Sequence, residues 1–146
     1  MISTISLLVA RLIFAAAFMV AMVMKFTGIG DTAAAIASIG FPLPLFLAWI
    51  AAFFELGLVL AFVTGAFFAE AAALAAAYVL FLAFAFYGPS SWTGNPLQFG
   101  LFINHLTFIA GLLFAAVHGP GKTLVLDWHL PWQALGRNRT ADAVRS

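Results

Sequence analysis

Residues 43–65 form an apolar run broken by a single acid, Glu55. At about 1.5 Å rise per residue, a helix over this run crosses the ~30 Å hydrocarbon layer of a bilayer. Glu55 then falls near mid-membrane, where an ionised carboxylate costs a few kcal/mol, about 3 on insertion scales. It is therefore either protonated or partnered inside a protein-lined pocket. The rest of the chain has to be read for groups that reach it.

Composition fits that start. Of 146 residues, 65% are hydrophobic and 8% charged, against about 25% charged in a soluble domain. The expected class is an all-α membrane protein, a four-transmembrane-helix bundle with a short interfacial helix between spans one and two. The spans run over residues 3–24, 43–65, 67–87 and 97–118. The membrane domain extends over residues 1–128, and residues 129–146 form a cytoplasmic C-terminal tail. Between spans one and two, Asp31 is placed to cap a short helix over the alanines that Gly40 stops. Gly65 and Ala66 leave only a tight turn between spans two and three. Trp92 is an interface anchor in the loop before span four. The N-terminus lacks a basic n-region, and its apolar run passes Arg11, which points to an uncleaved helix.

The cations orient the bundle. Lys122, Arg137, Arg139 and Arg145 follow span four, whereas the loop before it carries no charge. The positive-inside rule places both termini of this multi-pass protein in the cytoplasm. Residues at helical spacing, Ala69, Ala73 and Ala77 on span three and Asn104, Thr107, Gly111 and Ala115 on span four, suit close helix packing; membrane lipid and a homo-oligomer are the other partners expected.

Depth arithmetic selects the polar site. Counting from the cytoplasmic end of each span puts Arg11 and Glu55 within about one helical turn of each other. Glu55 approaches His105, with Asn104 beside it, and Glu70 is shallower. Arg11 pairing with Glu55 is favoured over Arg11 with Glu70. Trp49 and Phe53 flank Glu55, and Phe108 lies near His105. Glu55 and His105 are the candidate proton carriers; Arg11, Trp49, Phe53, Asn104 and Phe108 are the candidate binding residues. Asp127, Trp128 and Trp132 form a candidate docking segment for a partner. An apolar aromatic cavity with an acid, an imidazole and an amide suits an isoprenoid quinone, whose carbonyls need hydrogen bonds and whose reduction needs protons.

Other chemistries are excluded or unsupported. With no cysteine, the chain supplies no thiol relay and no ligand for an iron–sulfur cluster. His105 and His118 are about 20 Å apart along one helix, too far to share a haem. No metal-ligand spacing and no basic nucleic-acid patch is present. No haem, iron–sulfur cluster or metal is expected.

Arg11, Lys25-Phe26-Thr27-Gly28, the run Gly40-Phe41-Pro42-Leu43-Pro44, Phe54-Glu55-Leu56-Gly57 and the ending His118-Gly119-Pro120-Gly121 through Asp127 together resemble the DoxX family. The resemblance covers about residues 8–128. It implies a four-helix membrane protein related to the quinone-linked subunits of the thiosulfate:quinone oxidoreductase and terminal oxidase of thermoacidophiles. It also implies links to redox defence, with soluble enzymes as partners. Arg11, Glu55 and Asp127 match family positions. The leading expectation is a quinone-interacting, redox-associated protein, a subunit of a quinone-linked oxidoreductase if it takes part in catalysis. The alternative is a non-catalytic anchor or accessory subunit for a soluble redox enzyme, and a proton or small-solute pathway comes third.

Overall fold

The computed structural model describes residues 2–121 and Val125. The expected domain boundary at 128/129 and the docking segment Asp127, Trp128 and Trp132 lie outside the described residues. Five α-helices follow one another: α1 (Ile2–Thr27), α2 (Ile29–Ser38), α3 (Pro44–Thr64), α4 (Phe68–Tyr87) and α5 (Pro96–His118), with one 3₁₀ turn, Pro89–Ser91, before the last. No strand occurs among the described residues. Four of the helices, all but α2, are long and apolar enough to cross a membrane. The protein is thus a multi-pass, all-helical membrane bundle.

Helix boundaries follow local chemistry. α3 and α5 begin with proline in the first turn, where a missing N–H costs nothing. Asn95 caps α5 by accepting from the Gln98 N–H at 3.4 Å. The α2 helix is present as expected, but Gly28 occupies its N-cap and no side chain caps it. Asp31 sits inside the first turn, where a negative charge still complements the helix dipole. Gly40, at φ +83, ends the α2 segment.

The turn between α3 and α4 has little freedom. Gly65 sits at φ +74, and a Cβ there would lie 3.0 Å from Arg11 Nη1 and 3.3 Å from Val125. Both the left-handed backbone and the close approach of α1 require glycine. Phe67 follows at φ 51, left-handed without glycine's freedom.

Packing divides the bundle into two pairs. α1 packs chiefly on α3, and α4 chiefly on α5, while α3 and α4 touch far less despite their short link. At the end holding the Gly65 turn, the pairs meet around Phe14, Phe18, Phe62, Phe68 and Phe108. Alanines let α4 approach, but on a different stripe from that expected: Ala71, Ala72, Ala75 and Ala76 are buried, whereas Ala73 and Ala77 are exposed. On α5, Gly111 receives the Phe14 ring, since a Cβ there would lie 3.2 Å from its Cζ. Thr107 faces outward.

A candidate site in the cavity between the helix pairs

At the opposite end the pairs separate around a cavity of about 820 Å³. All five helices contribute to its wall, and α2 closes one side with Asp31, Thr32 and Ile36. Most of the lining is apolar; the polar exceptions include Lys25, Asp31, Tyr78, Tyr87 and His105.

Glu55 lies half-way along α3, 1% exposed, with its carboxylate held beside this wall. Lys25 Nζ donates to Glu55 Oε1 at 2.8 Å, and the Tyr78 hydroxyl donates to the same oxygen at 2.9 Å. Both donors line the cavity, so Glu55 acts on it through them. Glu55 Oε2 is buried and has no hydrogen-bond partner among the described residues. The Phe54 ring stacks edge-on against Tyr78 at 5.0 Å and fixes the phenol's direction.

The expected Arg11–Glu55 pair is therefore not formed. Arg11 is 1% exposed at the other end, beneath the Gly65 turn, where its Nη1 approaches the Pro120 carbonyl at 3.5 Å. Ten residues, about 15 Å of helix, separate Gly65 from Glu55. The depth arithmetic failed because it started each span at one common plane. Phe26 packs against Trp49 and Phe53, so α3 begins more than a turn beyond the end of α1. That offset brings Lys25 level with Glu55 and carries Arg11 past it.

His105 lines the cavity but does not bond Glu55. Its Nδ1 lies 2.7 Å from the Leu101 carbonyl, and its ring packs on Tyr87 at 4.8 Å between centroids. A carbonyl only accepts, so Nδ1 carries hydrogen and Nε2 is the nitrogen left for another group. Trp49 and Phe53 stack on the outer face of α3, both largely exposed. Ile50 and Phe54, one position further along the helix, take the cavity wall instead. Asn104 points outward, and Phe108 belongs to the aromatic core of the other end.

Two members of the site escaped the sequence. Lys25 directly follows the expected end of span one at residue 24; a lysine in a last helical turn can bend inward when the next span starts further out. Tyr78 was the one polar side chain in the middle of an alanine-rich span, and a buried phenol needs a partner. That signal was available. Among the described residues no group of three or more His, Asp or Glu side chains is placed to hold a metal.

The family model for DoxX matches residues 6–88, from the first turns of α1 to the end of α4. The match stops before α5, short of the expected reach to about residue 128. No curated protein and no solved structure gives a match.

Proposed function

Given that the chain belongs to the DoxX family, we propose that it holds an isoprenoid quinone, or a similar lipid-soluble redox molecule, in the cavity between its helix pairs. The observation that carries this reading is an apolar cavity of about 820 Å³ whose wall bears a cation and a phenol held by one buried carboxylate. Small-molecule sites share that make-up: mostly apolar walls, volumes of about 300–1,000 Å³ and a few placed polar groups. The Lys25 ammonium has three N–H donors and spends one on Glu55. The remaining donors suit a ring carbonyl oxygen. Reduction of a quinone to the hydroquinone takes up two electrons and two protons. In this reading a redox partner protein supplies the electrons, while Lys25 and Tyr78 hold exchangeable protons beside the ring and the Glu55 carboxylate accepts from both. His105, on the α5 wall, is the second polar contact.

The reading places the protein in the bacterial inner membrane with both termini in the cytoplasm, following the positive charge after span four. Single cysteines at Thr93 and Ala66 should label from opposite sides, Thr93 from the periplasm. Labelling of both from one side would overturn the orientation.

The decisive measurement is the quinone content of lipid extracted from purified protein, followed by titration of quinone-free protein with a short-chain benzoquinone. Saturable binding is expected, weakened about tenfold or more by Lys25→Met. Absence of quinone from the extract together with a flat titration would sink the reading and leave the bundle as an anchor.

A further inference from the structure

A second depression, of about 480 Å³, lies on the outer face of α4, floored by Ala77 and Ala85 and flanked by Leu80 and Phe84. Phe41 and Phe81 border both this groove and the internal cavity. Their rings meet edge-on at 5.8 Å and 87°, and each residue is more than 40% exposed. The Phe41 and Phe81 side chains therefore stand where the two spaces adjoin. Phe41 stands in the short link between α2 and α3, directly after Gly40.

We propose that the Phe41–Phe81 pair is the point where the apolar chain of a head-and-tail ligand leaves the cavity, and that the groove on α4 holds that chain. The proposal rests on the quinone reading above and adds a second subsite to it. Size is the first argument. A cavity in the range that encloses drug-sized ligands takes a ring and the first atoms of its substituent, while a chain able to span much of the ~30 Å hydrocarbon layer must continue outside. Continuity is the second, because Phe41 and Phe81 line the groove and the cavity alike.

Direction is the third argument. From Phe81 the groove follows α4 for about 6 Å each way, to Ala77 toward the middle of the helix and to Ala85 toward the α2 end. A chain laid from Phe81 toward Ala77 runs into the hydrocarbon interior. The floor also suits a flexible chain. Ala77 and Ala85 leave room between Leu80, Phe81 and Phe84, and the surface offers dispersion contacts and no polar demand.

The test uses the full chain in nanodiscs, with probes compared at equal mole fraction in the bilayer. One probe is a dimethoxy-methyl-benzoquinone without a side chain, and the other carries the same ring with a decyl chain. Quenching of intrinsic tryptophan fluorescence reads the binding. Wild type should favour the decyl probe about tenfold or more. Ala85→Trp and, separately, Ala77→Trp fill the groove and should reduce that preference below about twofold while leaving affinity for the chainless ring unchanged. Leu74→Trp, exposed on α4 outside the groove, should keep the full preference.

A full chain preference in either filled variant that folds would overturn the exit. So would a wild type that binds the chainless ring with no chain preference, which would give the groove to bulk lipid. In both of those outcomes the cavity reading survives. A wild type that fails to bind either probe removes both together.

Discussion

At the end of the bundle that holds the Gly65 turn, phenylalanines from four helices interlock and Phe62 and Leu112 are fully buried. At the α2 end the same four helices separate around the cavity, and no residue of α2 itself is buried. One end has the density of a protein core; the other leaves room. Both ends contain a buried charge. Arg11 lies under the turn at the packed end, and Glu55 stands beside the open one. A charge set in a packed interior holds segments in place, whereas one beside a cavity can also meet something that enters. The chemistry is therefore sought at the α2 end.

The largest expected effect falls on the packed end. Phe62→Ala removes a ring that touches Phe14, Phe18 and Phe68. It should cost about 3–5 kcal/mol, seen as a large fall in melting temperature in detergent. An unchanged melting temperature would mean the aromatic cluster adds no stability and would erase the contrast. Next is Lys25→Met, which strands the Glu55 carboxylate and should cost about 3 kcal/mol. The double variant Lys25→Met/Glu55→Gln should recover most of that loss, because no unpaired buried charge is left. Strict additivity of the two single changes would show that the 2.8 Å ion pair carries no coupling.

Tyr78→Phe follows, deleting one hydrogen bond to a charged acceptor at a cost of about 1.5 kcal/mol. Quinone affinity should fall with it if the phenol faces ligand, and a loss of stability without loss of affinity would make Tyr78 structural only. The smallest effect on stability belongs to Ala35→Leu, on the cavity face of α2. The melting temperature should move by less than about 0.5 kcal/mol equivalent, since the side chain enters open space. Ligand binding should nevertheless be lost. A destabilisation comparable to that of Phe62→Ala would show that the α2 end is packed as tightly as the other.

The bundle was legible in the sequence because lipid demands long apolar helices, and every span appears within about three residues of its expected limits. The Gly40 stop and the Gly65 turn were legible because a left-handed backbone favours glycine. Glu55 and His105 stand out in the sequence by cost, as polar groups where polarity is expensive, and the structure buries the first and sets the second on the cavity wall. Their partners were not found. Pairing depends on the offset between helices, and the side-chain contacts of Phe26 with Trp49 and Phe53 set that offset. An apolar run shows its length and hides its height in the membrane. The inward face of α3 was also misplaced by one position, from Trp49 and Phe53 to Ile50 and Phe54. Periodicity is weak in a helix that is apolar all round.

The pairing of α1 with α3 and of α4 with α5 has a consequence for biogenesis. A chain emerging from the ribosome inserts its helices in order, and N-terminal units assemble before C-terminal ones exist. The α1–α2–α3 unit, which holds both partners of the Lys25–Glu55 pair, should therefore be able to form before α4 leaves the translocon. Tyr78 arrives later, with α4, and His105 only with α5. The cavity comes into being as the second pair docks, joined to the first through the short turn at Gly65. A nascent chain stalled after α3 should thus hold its ion pair and have no enclosed site. Two co-expressed fragments divided at that turn should reassemble in the membrane into a bundle that has one.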